Sequence, residues 1–146
     1  MITLRQAQVL DSVLLWRWIN GEQSRTMAWC HKLIDKTEHI GWLIDKLESS
    51  DDRLFIILLD QQPVGSCRLS LQDTHAIVSI TLAPEAQGLG IAAQALRELI
   101  RIARATPYRL LSLQAHIRAE NAPALRAFQK AGFKEVGKVY EYDLTL

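Results

Sequence analysis

The sequence has almost no cysteine. Cys30 and Cys67 stand alone, 37 positions apart, and neither lies at paired-ligand spacing from a histidine. That excludes a disulfide-stapled scaffold and a cysteine–histidine zinc site; two reduced, buried thiols in a cytoplasmic protein are expected. Long apolar runs are missing too. The longest aliphatic stretch, residues 54–59, is far short of the ~20 residues a spanning helix needs, so no membrane association is expected. The first residues, Met-Ile-Thr-Leu-Arg-Gln-Ala-Gln, lack the pattern of a signal peptide. Excess charge of one sign is absent: 17 Lys and Arg face 16 Asp and Glu, a net +1, which gives no reason to expect a nucleic-acid partner. There are no repeats, linkers or low-complexity segments, so residues 1–146 are expected to form one domain.

What is present is a balanced globular composition, 49% hydrophobic and 23% charged, with a mean hydropathy of +0.01. Residues 2–5 predict a first strand, and residues 9–20, apolar at eight positions and stopped by Gly21, a helix with a broad apolar face. Asp35-Lys36-Thr37-Glu38 opens a second helix running to about Ser49. Three strands follow, at residues 53–59, 64–71 and 75–82, joined by turns at 60–63 and 72–74. A helix over 91–105, an alternating strand over 109–117, a helix over 121–131 and extended segments at 133–139 and 142–146 complete the chain. The predicted order is β-α-α-β-β-β-α-β-α-β-β, an α/β domain around a mixed sheet.

The most informative stretch is Leu82-Ala83-Pro84-Glu85-Ala86-Gln87-Gly88-Leu89-Gly90-Ile91-Ala92. A strand runs into a glycine turn and then a helix, leaving bare amides where the helix dipole is positive, a cradle suited to phosphate. The same residues also fit a dinucleotide fingerprint, or a structural turn that binds nothing. Against the dinucleotide reading, Pro84-Glu85-Ala86-Gln87 intervenes between strand and glycine, and strand 109–117 has no acid to hold a ribose.

A second motif, Asn121-Ala122-Pro123-Ala124-Leu125-Arg126-Ala127-Phe128-Gln129-Lys130-Ala131-Gly132-Phe133, follows about 30 residues later. With Gln87-Gly88-Leu89-Gly90-Ile91-Ala92 it resembles the signature pair of the GNAT-type, acetyl-CoA-dependent N-acetyltransferases, and the resemblance covers essentially the whole chain. It implies the GNAT fold, with a mixed, mostly antiparallel sheet flanked by helices. It implies acetyl-CoA as co-substrate and no metal, with the amides of Gln87, Gly88, Leu89, Gly90, Ile91 and Ala92 on the CoA pyrophosphate. The strand ending at Leu82 would pair with the pantetheine arm in a gap between splayed strands, with Asn121 and Phe128 on its other side.

Acetyl transfer to an amine requires a neutral nitrogen, a polarised carbonyl and a proton for the departing thiolate. The amide of Leu82 is the expected carbonyl donor. Some family members carry a base on the strand before the glycine turn, but here that inward face reads Ala76, Val78 and Ile80. Others place a Glu five residues before the Asn; that position is His116, either a base near neutrality or simply a polar residue on a strand face. Many members have a Tyr as general acid where this chain has Phe128, leaving solvent, Tyr140 or Tyr142.

All four tryptophans, 16, 18, 29 and 42, lie in the first 42 residues. Trp16 and Trp18 point about 200° apart on a helix and cannot share one buried face. The pattern Trp16-Arg17, Arg25-Thr26-Met27, Ile34, His39, Trp42 is similar to a GNAT branch that acetylates nucleotide-linked dideoxy amino sugars, as in pseudaminic acid synthesis. That similarity implies a substrate lid over 21–34 and acceptor contacts from Arg17, Arg25, Met27 and Trp29. The alternatives are a protein N-terminal (ribosomal-protein-type) or small-amine acceptor, or a non-catalytic acyl-CoA-binding module. A small-molecule amine partner and a monomer or homodimer are expected.

Overall fold

In a computed structural model, described here for residues 1–21, 33–105, 109–137 and 139–145, the predicted element order is the observed one. The strands are β1 (Ile2–Gln6), β2 (Asp52–Leu59), β3 (Gln62–Gln72), β4 (His75–Leu82), β5 (Ser112–Ala115), β6 (Lys134–Val136) and β7 (Val139–Asp143). The helices are α1 (Ser12–Ile19), α2 (Lys36–Glu48), α3 (Ile91–Ala105) and α4 (Ala122–Lys130). One seven-stranded sheet has the order β1-β2-β3-β4-β5-β7-β6, antiparallel at every step except β4–β5. That parallel step needs a crossover, and α3 is the helix that makes it.

Leu54–Leu58 of β2 is buried at every residue, which requires cover on both sheet faces. Helix α3 buries Ile91, Ala95, Leu96, Leu99, Ile100 and Ala103, a stripe at helical spacing, and α2 buries Leu43 completely. The β2–β3 hairpin turns on Asp60 and Gln61 alone, both at positive φ (49° and 72°), the form of turn that matches strand twist.

Three boundaries differ from the sequence reading. The first helix is two pieces, a 3₁₀ turn at Val9–Asp11 and then α1. Asp11 causes the break: it accepts from the Gln8 amide (2.8 Å) and takes Arg5 bidentately (2.9 and 2.8 Å), fixing a turn that leaves Leu10 91% exposed. Strand β5 is only four residues long, because Arg109 takes a left-handed backbone (φ 53°) and pairing lapses after Ala115. Leu113 and Ala115 are buried as the alternation predicts, but Leu111 is exposed. The last hairpin turns at Gly137 (φ 62°), not at 140–141, so Tyr140 and Tyr142 both lie within β7.

Arg5 holds the Asp11 carboxyl below the usual carboxylate range, chiefly through their hydrogen bonds. A lowered folded pKa adds stability that is present above the unfolded value near 4 and lost as pH falls through the folded one. Urea melts should therefore find Asp11→Asn less stable than wild type by about 1 kcal/mol at pH 7. The gap should narrow as pH falls below about 4; a gap that does not change with pH would refute the assignment.

Candidate active site

The β4–β5 pairing lasts three residues, His75↔Ser112, Ala76↔Leu113 and Ile77↔Gln114. β4 then runs on to Leu82 against β3 with no strand among the described residues on its other side, so the two parallel strands splay. Backbone directions follow from the β3 side. The Ala83 amide donates to Val64 (2.8 Å), and Thr81 O lies 2.5 Å from where a Cβ on Gly65 would stand. Residues 81 and 83 thus face β3, and by strand alternation the Leu82 N–H and C=O face the gap. Gln87 Nε2 donates to that carbonyl at 3.3 Å, and among the described residues no strand lies opposite to take the N–H.

Past Leu82 the chain makes one 3₁₀ turn at Pro84–Ala86, then passes through Gly88 and Gly90, both at φ 76°. That left-handed backbone favours glycine, and no protein atom lies within 4 Å of an added Cβ at either position. Gly90 precedes the first turn of α3 and has no side chain with which to cap its amides. The Gln87 amide donates to Pro84 O (3.4 Å), so it is not a free donor as the resemblance implied; the residues after it form a turn at the positive end of a 15-residue helix, a setting that suits an anion. Leu89 is exposed, while Ile91 tucks into the core as the helix begins.

Beneath the splay lies a cavity of about 550 Å³. Ile80 and Thr81 of β4, His116, Asn121 and Phe128 line one part of it, and Leu15, His39, Trp42 and Arg68 another. Asn121 caps α4, accepting from the Ala124 amide (3.3 Å), which leaves its side-chain NH₂ as a donor for a ligand. Phe128 is buried and meets Phe133 edge-on, centroids 4.9 Å apart. His116 is exposed and lines the cavity just beyond the end of β5, not on a strand face. Cys67, sealed on β3, has its thiol pushed up to about 12 by burial and is inert.

The tyrosines named as acids do not line the cavity among the described residues; the Tyr142 hydroxyl accepts from Arg104 (3.2 Å), whose guanidinium also covers its ring. Arg17 is exposed on α1 and is not a lining residue. Arg25, Met27 and Trp29 fall outside the described residues, as does Cys30. Trp16 and Trp18 part as their spacing requires: Trp18 is buried, and Trp16 donates through Nε1 to Ile34 O (2.8 Å). Asn20 also bonds both the N–H and C=O of Ile34, pinning the entry to α2.

The residue that sequence reasoning missed is Arg68, whose guanidinium lies 5.3 Å from the centre of the Trp42 ring. Its only signal was a lone cation between Cys67 and Leu69, two core residues of a strand. His39 and Trp42 stood in the acceptor-branch pattern, and the structure stacks them at 5.3 Å in the cavity wall. Among the described residues no group of three or more His, Cys, Asp or Glu is placed to hold a metal, and no helix is long and apolar enough to cross a membrane.

The sequence profile of the acetyltransferase (GNAT) family matches residues 14–133. The chain belongs to that family. It is an acetyl-CoA-dependent N-acetyltransferase of GNAT type. No curated protein matches the chain in sequence. Solved structures share the fold at low identity. Spermidine N-acetyltransferase from Vibrio cholerae, in complex with CoA and spermine, is 18% identical with a TM-score of 0.88, covering 99% of this chain and 96% of that one. The aminoglycoside acetyltransferase AAC(6')-Ib, in complex with coenzyme A, is 16% identical with a TM-score of 0.86 and the same coverage. An N-acetyltransferase from Staphylococcus aureus Mu50 is 24% identical, with a TM-score of 0.82 and 99% of each chain covered. The splayed strands and glycine turn of this acetyltransferase are thus set in a GNAT fold from end to end.

Proposed function

We propose that this acetyltransferase acylates the primary amine of a small acceptor that also carries negative charge, foremost a nucleotide-linked deoxy amino sugar. The observation that carries the reading is the cavity wall built by α2 and β3, where Arg68, Trp42 and His39 come together. Such a wall suits an anion joined to a planar or sugar ring. The protein would work in the cytoplasm, as a monomer or homodimer.

Acetyl-CoA supplies the activated acetyl thioester. The amides of residues 88–92 hold its pyrophosphate, the Gln87 amide being taken by Pro84 O, and the free edge of β4 with Asn121 and Phe128 lines the path of its arm. The Leu82 N–H donates to the acetyl carbonyl oxygen, where charge gathers during transfer. His116 takes the proton of the attacking amine, directly or through one water. With Phe128 unable to donate and both tyrosines outside the cavity, the thiolate is protonated by solvent.

A polyamine-type acceptor is the second reading, favoured by Glu38, the one carboxylate among the described lining residues. Following thioester consumption against nucleotide amino sugars, polyamines and N-terminal peptides separates the three acceptor classes. Turnover only with polyamines would overturn the leading reading. In the same assay His116→Ala should cut turnover at least about tenfold. The rise in Tm on adding acetyl-CoA should survive that change; unchanged turnover would remove His116 from the mechanism.

A further inference from the structure

Arg68 is a cation built into the sheet that forms no ion pair within 4 Å among the described residues, although Asp52, whose Oδ1 is buried without a partner, lies near enough to act on it. It sits in mid-β3 between the buried Cys67 and Leu69, and its Nε is buried with no hydrogen-bond partner. Asp52 acts on it electrostatically but pairs with Lys46, at 3.5 Å. Trp42 covers one face of the guanidinium. On the same indole stacks His39, only 5% exposed, whose Nδ1 is also buried and without a partner.

A buried donor left unmade costs free energy until an acceptor arrives, and the cost is larger when the donor is charged. Guanidinium has five donors in a planar fork and no acceptor, so an acceptor completes it, and an oxyanion matches both its geometry and its charge. The glycine-turn residues 87–92 are not among those lining this cavity, so the site is separate from the phosphate cradle. Glu38 is also in the cavity wall but exposed, where water screens it.

We infer that Arg68, held against Trp42, is the receptor for an oxyanion of the acceptor, phosphate or carboxylate, with His39 Nδ1 as the second contact. The assignment rests on the reading of this cavity as the acceptor pocket. It makes Arg68 a specificity determinant: it decides which amines are held, not how the acetyl group moves.

The test uses the protein saturated with CoA, so that the glycine cradle is filled. Calorimetric titration with inorganic pyrophosphate, and separately with succinate, should show binding of one or both. Arg68→Met should weaken that binding by about tenfold or more, with Arg68→Lys between the two. Which anion binds identifies the source. In steady state, Arg68→Met should raise KM about tenfold for a nucleotide-linked amino sugar. KM for the free amino sugar and for acetyl-CoA should stay within about twofold. Retained thermal stabilisation by acetyl-CoA shows that either variant is folded, and Arg68→Lys carries the test if Arg68→Met does not fold.

Wild type binding neither anion, or an equal loss on charged and neutral acceptors, would overturn the inference. Anion binding that depends on Arg68, without turnover of any nucleotide sugar, would uphold it while refuting the acceptor proposed above.

Discussion

Gly90→Ala is expected to weaken acetyl-CoA binding about ten- to a hundredfold, as read by calorimetry. At φ 76° an L side chain costs about 1–2 kcal/mol. The free turn can escape that cost by relaxing. Ligand binding then either restores the strained form at that cost, or leaves the turn relaxed and loses an amide–pyrophosphate bond of about 1.5–3 kcal/mol, since the acceptor is charged. Either route costs about one to two decades of affinity. Steric conflict with the protein plays no part, because an added Cβ at Gly90 meets nothing within 4 Å. Gly137→Ala is the control: it carries the same kind of strain (φ 62°) in the β6–β7 turn, also in open space. It should cost similar stability and leave acetyl-CoA affinity unchanged. Equal effects of the two substitutions would show that the 87–92 turn does not hold the ligand.

Gly65→Ala should lower both stability and turnover. An added Cβ there would lie 2.5 Å from Thr81 O, 2.9 Å from Leu82 Cδ2 and 3.1 Å from Leu82 Cα. Two of these are backbone atoms, so the strands must part. Overpacking of this kind costs about 2–3 kcal/mol. For a chain of this length that is a fall in Tm of about 5–10 °C. The strand displaced is the end of β4, which carries the Leu82 N–H. A shift there should cut kcat/KM with acetyl-CoA about tenfold or more, even where the protein stays folded. A drop in Tm with kcat/KM preserved would mean that the Leu82 amide does not act on the acetyl group.

The donor half of the site was legible because its chemistry is local. A positive φ at two glycines and the start of a 15-residue helix are properties of adjacent residues, and they can be read in the chain without knowing what packs against it. The element order was legible for the same reason, since apolar periodicity and turn residues report on short windows. Boundaries failed where a local contact or a single backbone angle outside the apolar pattern intervened. Asp11 broke the first helix by taking Arg5, and the last hairpin turned at Gly137 because its backbone could be left-handed.

The acceptor half was not legible. Arg68 is an unremarked cation in a strand of the sequence, and only folding lays it on Trp42 of a helix 26 residues earlier. His39 joins them because α2 packs its buried side toward the sheet, anchored by Asn20 and Trp16 on Ile34. The splay itself is a tertiary fact: β4 and β5 share three pairs and then part, and no residue of either strand announces it. By itself, then, the sequence determined the family, through its motifs, and the element order and the glycine turn, both set by backbone preference over a few neighbouring residues. The tertiary structure decided the cationic, aromatic wall around Arg68 and supplied the gap beside Leu82 that the family resemblance implied, because both depend on register and helix packing between segments remote in the chain.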